Sequence, residues 1–202
     1  MDTETTGLPK DSKAPMTDLE NWPRVLQLAW SLTDQFGDVI TNHEFLVKPD
    51  VWKVPDEPFW RDHGFTQERN KAEGKPIREV LTAFLADLEQ ANYLVAHNMA
   101  FDHPVLGCEM IRYGMKGKKV PKICTMEATV EFCAIPFHKG QREWLSKAEK
   151  KFKFPRLEEL YLKLFNAEFT NKHQAGGDVA ALRICFFELL ERGLIKLDSL
   201  NS

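Results

Sequence analysis

The 202-residue chain has little cysteine, no long apolar run and no strong excess of charge of either sign. Its four cysteines form no Cys-x-x-Cys pair and no zinc-like spacing, so we expect reduced thiols rather than a disulfide scaffold. No apolar run approaches the roughly 20 residues that a membrane span needs. The acidic start, Met-Asp-Thr-Glu, is unlike the basic start of a signal peptide. These absences favour a soluble, cytoplasmic protein with no membrane partner.

The composition that remains is that of a globular domain. Hydrophobic residues make up 43% of the chain and charged residues 28%, and 14 residues are Phe. A chain of this length can bury roughly 70% of its unfolded surface, so we expect one domain over residues 1–202. The net charge of −3 gives no overall attraction to nucleic acid, although a local basic surface is enough to bind it.

Hydrophobic periodicity predicts a mixed α/β fold. Residues 25–33 and 39–47 alternate in polarity around a turn cluster at 34–38, which predicts an antiparallel hairpin. Prolines predict a loop over 48–64, and an apolar stripe predicts a helix from Ile77 to Leu88. Further along the chain, short strands are predicted at 93–96 and 123–125, and helices at 101–113, 156–165 and 178–192.

Acidic side chains occur in three separate clusters. Asp2 and Glu4 are two residues apart, so on a strand both carboxylates lie on one face. Asp102 follows a predicted buried strand near the start of a helix, and Asp178 opens the last predicted helix, five residues after His173. Taken singly, each cluster also fits a charged strand end, a helix cap or a loop histidine.

The order of the clusters is more informative than any one of them. Asp-x-Glu-Thr-x-Gly, then His-Asn-x-x-Phe-Asp, then His-x-x-x-x-Asp resemble the three motifs of the DEDDh (DnaQ-like) 3′–5′ exonucleases, a family that includes proofreading subunits of bacterial polymerases. The motifs span residues 2–178. The resemblance implies a ribonuclease H-like exonuclease fold, in which helices flank a mixed central sheet.

The resemblance also implies a cofactor and catalytic roles. Four crowded carboxylates repel one another, and hard divalent cations such as Mg²⁺ or Mn²⁺ relieve that repulsion. Two such ions could clamp the attacking and leaving oxygens of a phosphodiester. The implied metal ligands are Asp2, Glu4, Asp102 and Asp178, and His173 is the implied general base. Gln174 stands where the sister group of the family has Tyr, which favours the His version.

Substrate residues follow from the same motifs. Residues resembling the pocket of the terminal nucleotide, or packing beside it, are Thr5, Thr6, Gly7, Leu8, Asn98 and Phe101. The Thr5-Thr6 pair favours DNA as the substrate. The predicted reaction therefore acts on the 3′ end of single-stranded DNA, and by resemblance to the family it releases nucleoside 5′-monophosphates. An RNA 3′-end exonuclease and a non-catalytic nucleic-acid or polymerase-binding module stay open as alternatives. A polymerase partner has no support in the motifs, which favours a free-standing repair or processing nuclease.

Two basic runs, at 112–122 and 139–156, offer a local surface for phosphates or are simply solvated faces.

The sequence also predicts the length of the first strand. The Asp-x-Glu pair of the family ends a central strand, strands typically have about 5–6 residues, and only Met1 precedes Asp2 here. We therefore expect a truncated first strand and a Met1 amine that opposes metal binding. Added upstream apolar residues are expected to raise both the melting temperature and the Mg²⁺ affinity.

Overall fold

The structure of the protein is a computed structural model that describes residues 1–137, 151–169 and 175–197. Its strands are β1 (Asp2–Thr5), β2 (Val25–Thr33), β3 (Val39–Leu46), β4 (Leu94–Ala96) and β5 (Lys122–Cys124). Its helices are α1 (Pro58–Asp62), α2 (Gln67–Glu73), α3 (Ile77–Gln90), α4 (Met99–Arg112), α5 (Thr125–Ala128), α6 (Val130–Cys133), α7 (Leu157–Phe165) and α8 (Ala175–Glu191). The predicted mixed α/β class is confirmed.

The strands form two small sheets. In the first, β1, β2 and β3 are antiparallel with β2 in the centre, and Asp2 pairs with Ala29 and Glu4 with Gln27. In the second, β4 and β5 are parallel. The hairpin between β2 and β3 is confirmed, and its turn is held by Asp34, whose Oδ1 accepts from the N–H groups of Phe36 and Asp38. Gly37 has a φ of 90° in this turn, a conformation that favours glycine.

Helices cover both faces of the strands. Helix α3 buries the predicted stripe, including Val80, Leu81 and Phe84, against Trp30 of β2. Helix α8 packs against β2, β1 and α7. All four cysteines are free, as expected. Within the described part of the chain, no helix combines the length and the apolar character that crossing a membrane requires.

Two local predictions are wrong. The loop predicted over 48–64 contains α1, because Pro58 occupies the first turn of a helix, where its missing N–H costs nothing. Helix α8 begins at Ala175 rather than at Asp178, so Asp178 lies inside the first turn and does not open the helix. The earlier start is stabilised by a tertiary contact, since the Ala175 N–H donates to Gln27 Oε1 on β2 at 3.1 Å.

Candidate active site

Three of the predicted acids meet at one point. Asp2 and Glu4 lie on one face of β1, and Asp178 reaches them from the first turn of α8, which packs against β1. One carboxylate oxygen of each lies within 4.8 Å of the corresponding oxygens of the other two. All three side chains are half-buried, so the cluster opens to solvent on one side. The structure thus brings together acids that are 176 residues apart in the chain.

Asp102 contacts β1 at Thr3. It belongs to the first turn of α4 and is only 3% exposed. Its Oδ1 accepts from the backbone N–H of Thr3 at 3.0 Å and from Thr3 Oγ1 at 2.7 Å. Because Thr3 stands between Asp2 and Glu4, Asp102 fixes the strand that carries them. It stands next to the three-acid cluster without being within the 4.8 Å set.

The acids perturb one another strongly. Burial, together with the charges of Asp178 and Asp102, raises the pKa of Glu4 to about 7. Burial raises the pKa of Asp102 to about 6, against the opposing effect of the Thr3 hydrogen bonds. The pKa of Asp2 is raised well above its ordinary value by burial and by the three neighbouring carboxylates. Negative charge is therefore concentrated here beyond what the surrounding protein neutralises.

Met1 contributes a positive charge close to Asp2 and Asp102. Its α-ammonium group donates to the Val95 carbonyl of β4 at 2.8 Å, and its charge favours the ionised forms of Asp2 and Asp102. Burial lowers the pKa of this amine. Among the residues that the structure describes, this ammonium group leaves the pKa values of Asp2, Glu4 and Asp102 raised.

The donor set fits a hard divalent cation. Three half-exposed carboxylates with converging oxygens provide the ligand type that Mg²⁺ and Mn²⁺ prefer. The raised pKa of Glu4 records a repulsion that a cation would relieve. Asp2, Glu4 and Asp178 are the residues that would hold such an ion, with Asp102 as a further carboxylate alongside.

The loop after β1 is built from its own hydrogen bonds. Thr5 Oγ1 donates to the Gly7 carbonyl at 2.7 Å, and Thr6 Oγ1 accepts from the Arg24 N–H at 3.0 Å. Gly7 has a φ of 151°, which an L side chain rarely adopts. Leu8 is 83% exposed. The loop therefore presents an apolar side chain to solvent four residues after Glu4 in the chain.

The remaining predicted substrate residues lie at the start of α4. Asn98 is exposed, and its carbonyl accepts from the N–H groups of Phe101 and Asp102. Phe101 is partly buried and packs against the main core. His173, the predicted general base, lies outside the described residues, in the segment that immediately precedes α8.

Sequence reasoning missed a residue that positions the site. Gln27, in the apolar strand β2, is 7% exposed; its Nε2 donates to Glu44 Oε1 at 2.8 Å and its Oε1 accepts from Ala175 N at 3.1 Å. Glu44 in turn lies so close to Gly176 that a Cβ there would be 2.2 Å from its Oε2. These contacts place the first turn of α8, and with it Asp178. The signal in the sequence was one amide within an otherwise apolar run.

A second missed residue is Trp60 of α1, whose Nε1 donates to the Thr5 carbonyl at 2.9 Å. It ties the segment that was predicted as a loop to the end of β1. No signal for this contact is present in the local sequence, because it depends on where α1 packs.

At two positions the side chains of the first basic run make hydrogen bonds within the protein. Arg112 donates to Glu109 and to the carbonyls of Leu19 and Trp22. Lys118 donates to two carbonyls at the end of α3. Most of the second run, residues 138–150, lies outside the described residues.

The family model RNase_T, described as exonuclease, matches residues 1–184, so the chain belongs to this exonuclease family. The predicted resemblance to DEDDh exonucleases is confirmed. No curated protein shows significant sequence similarity to the chain.

Solved structures agree with the family at the level of the fold. E. coli exonuclease I in complex with a dA16 oligonucleotide aligns with a TM-score of 0.65 and 20% identity, over 95% of this chain and 40% of that one. The nuclease domain of 3′hExo, a DEDDh family member bound to rAMP, aligns with a TM-score of 0.60 and 12% identity, over 98% of this chain and 94% of that one. Exonuclease X in complex with 5′ overhanging duplex DNA aligns with a TM-score of 0.55 and 18% identity, over 96% of this chain and 92% of that one. The chain thus spans about two fifths of exonuclease I and nearly all of the other two, and shares their ribonuclease H-like fold.

Proposed function

We propose that this exonuclease is a metal-dependent enzyme that removes nucleotides from the 3′ end of a nucleic acid. The observation that carries the proposal is the convergence of Asp2, Glu4 and Asp178 within 4.8 Å on a half-exposed surface. A structural role alone gives no reason to gather three acids that destabilise one another.

In this reaction the acidic residues and His173 have different roles. Asp2, Glu4 and Asp178 hold the cations, and Asp102 adds negative charge while it fixes β1 through Thr3. When bound, divalent ions neutralise charge on the phosphodiester and lower the pKa of the attacking water. His173, five residues before Asp178 in sequence, accepts a proton from that water, since the ordinary pKa of His near 6.5 suits general-base work at neutral pH.

We propose single-stranded DNA as the preferred substrate. Support comes from the Thr5-Thr6 pair and from exonuclease I, which was solved with deoxyoligonucleotides. Exposed Leu8, four residues after Glu4 in the chain, suits apolar contact with a terminal base, which is tolerant of sequence. The nuclease domain of 3′hExo was solved with rAMP, so RNA is the alternative substrate that the experiment must distinguish from DNA.

The test is digestion of matched single-stranded DNA and RNA oligomers, labelled at the 5′ end, with Mg²⁺, Mn²⁺ or EDTA. We expect a ladder that shortens from the 3′ end, releases nucleoside 5′-monophosphates and disappears in EDTA. A faster reaction on RNA would reverse the substrate assignment. Cleavage that persists in EDTA, or shortening from the 5′ end, would contradict the proposed reaction, and no cleavage of any substrate would favour the non-catalytic alternative.

Variants connect the reaction to the site. Asp2→Asn and Asp178→Asn should lower kcat by at least about a thousandfold, because electrostatic contributions of this kind are worth several kcal/mol. Glu89→Gln is the matched control, since Glu89 is an exposed acid near the end of α3. His173→Ala should also remove most activity while leaving Mg²⁺ affinity unchanged. Full activity in Asp178→Asn would place the catalytic site elsewhere.

A further inference from the structure

The loop after β1 contains a short arch that is clamped at both ends. The first clamp is at Thr6, whose N–H donates to the Arg24 carbonyl at 2.9 Å and whose Oγ1 accepts from the Arg24 N–H at 3.0 Å. The second clamp is at Lys10, whose N–H donates to the Asn21 carbonyl at 3.2 Å. The residues between the clamps, 7–9, are here named the arch.

Both clamps use one stretch of the chain, residues 19–25, here named the return segment. Asn21 is buried and strengthens the second clamp, since its Oδ1 accepts from the Asp11 N–H at 2.7 Å and its Nδ2 donates to the Asp11 carbonyl at 3.0 Å. Leu8, in the middle of the arch, is largely exposed. Because packing does not hold an exposed side chain, the place of Leu8 follows from the backbone on either side of it.

Helix α4 holds the return segment through two charged side chains. Glu109 is buried, and its Oε1 accepts from Arg24 Nε at 2.8 Å and from the Val25 N–H at 3.2 Å. Arg112 Nη1 donates to the same oxygen at 3.1 Å, and its Nη2 donates to two carbonyls of the return segment at 2.5 and 2.6 Å. A buried carboxylate with several charge-assisted donors fixes the backbone around it.

The same helix also holds β1. Asp102, in the first turn of α4, accepts the two Thr3 hydrogen bonds described above. Glu109 follows seven residues later, which is two helical turns and about 10 Å along the axis, so both carboxylates lie on one face of the helix. Between them, Gly107 packs so closely on Met16 that a Cβ there would lie 2.3 Å from the Met16 sulfur. One helix therefore sets the separation between β1 and the arch.

We propose that Glu109 and Arg112 are positioning residues, which fix the arch relative to the acids of β1 so that Leu8 is already in place when a terminal base binds. This inference rests on the proposed function. A loop that is ordered before the substrate arrives loses little further freedom on binding. Leu8 would contact the base rather than the reacting phosphate, so a loosened arch weakens binding in the ground and transition states alike.

The test is a double-mutant cycle between Arg112→Lys and Leu8→Ala. Lysine keeps the charge of Arg112 but lacks the planar fork that serves Glu109 and the carbonyls together. KM and kcat are measured for wild type, both single variants and the double variant, on the single-stranded oligomer, DNA or RNA, that wild type digests faster. If the arch acts through Leu8, the two substitutions remove the same contribution to binding and their effects do not add.

Two further variants separate positioning from general stability. Asp87→Ala is the control, because Asp87 of α3 accepts from Trp30 Nε1 at 2.8 Å and from Thr41 Oγ1 at 2.7 Å, and its loss destabilises the fold at the β2–β3 hairpin. Asn21→Ala loosens the second clamp and repeats the cycle from that end. It replaces Arg112→Lys if that variant does not fold.

We expect each single variant of the cycle to raise KM about tenfold with kcat within about twofold of wild type, and the double variant to raise KM by no more than about twentyfold. Asp87→Ala should lower the melting temperature and leave KM unchanged. A hundredfold increase of KM in the double variant would overturn the proposal, because it means that the two residues act independently. An unchanged KM in either single variant, or a raised KM in Asp87→Ala, would also overturn it.

The same cycle is measured for binding of the labelled oligomer in Ca²⁺, by fluorescence anisotropy, which keeps the test apart from the proposed function. A wild type that binds the oligomer without shortening its 3′ end would contradict the proposed function, and the dissociation constants of the four proteins would then decide the positioning role. A wild type that neither binds nor cleaves would overturn both.

Discussion

The repulsion among the acids predicts that the metal-free protein is stabilised when one of them loses its charge. Glu4 is the best position for this test, because burial and the charges of Asp178 and Asp102 raise its pKa from 4.5 to about 7. At about 1.36 kcal/mol per pKa unit, that shift corresponds to about 3 kcal/mol of lost stability once Glu4 is ionised. Glu4→Gln keeps the shape of the side chain and removes the charge.

The sign of the pH dependence follows from proton binding. Between pH 4.5 and about 7 the folded protein holds a proton on Glu4 that the unfolded chain has released. The free energy of unfolding therefore falls with rising pH across this window through Glu4. Below the window the side chain is neutral in both states, so wild type and Glu4→Gln should differ little. Above it the variant should be more stable by about 3 kcal/mol, or about 6–12 °C in melting temperature.

The assay is urea unfolding at pH 4.5, 6 and 8 in EDTA, with the difference between the two proteins as the measured quantity. Comparing proteins at each pH cancels the titration of those groups that do not interact with Glu4. Glu89→Gln, an exposed control, should differ from wild type by less than about 0.5 kcal/mol at every pH. The reasoning would be refuted if Glu4→Gln were less stable than wild type at pH 8, or if its advantage were the same at pH 4.5.

Three further predictions use the same stability measurements. Mg²⁺ at about 100 times its Kd should stabilise wild type by about 2.7 kcal/mol, and Asp178→Asn should lose most of that gain; an equal gain in both would remove Asp178 from the ligand set. Gln27→Leu leaves the Ala175 N–H without its acceptor, so it should lower the free energy of unfolding by about 1–3 kcal/mol and kcat about tenfold to a hundredfold. The control Gln90→Leu, at an exposed helix end, should change neither quantity. Glu109→Ala removes the 1% exposed acceptor of two arginines and should cost about 3–5 kcal/mol in urea unfolding, a loss that Glu131→Ala on the surface should not show.

Elements with one strong local signal were predictable from the sequence. Strand β2 was predicted at its observed bounds, Val25–Thr33, because turn residues follow an apolar run of strand length. Helix α3 was predicted because its stripe repeats at helical spacing over three turns. In both elements the spacing of the apolar residues was enough for the prediction, because burial of those residues is the dominant contribution to the stability of the strand and of the helix.

Elements whose limits depend on distant contacts were not predictable. The last helix is predicted to begin at Asp178, yet α8 begins at Ala175, where Gln27 satisfies the first N–H of the helix. A Cβ at Gly176 would lie 2.2 Å from Glu44 Oε2, so a larger residue there would have to displace the carboxylate that accepts from Gln27. Such a contact joins residues nearly 150 positions apart, so no window of the sequence contains it.

The acids themselves were predictable as a set because three motifs in a fixed order resemble a family. Their relative placement was not. Asp102 is expected as a fourth metal ligand, and that role stays a prediction: its Oδ1 accepts two hydrogen bonds from Thr3, and it is not among the three acids whose oxygens lie within 4.8 Å of one another. Only the pairing of β1 with its neighbours determines which side each carboxylate takes.

Strand β1 is therefore where stability and chemistry oppose each other. Its alternation directs Asp2 and Glu4 to one side, where their mutual repulsion destabilises the fold, and Thr3 to the other, where Asp102 anchors it. The two Thr3 bonds to Asp102 hold β1 in the position in which its acids repel one another. A bound cation would relieve that repulsion. Cation affinity and the rigidity of β1 should accordingly rise and fall together, so Thr3→Val, which removes one bond to Asp102, should weaken Mg²⁺ binding although Thr3 is not a ligand.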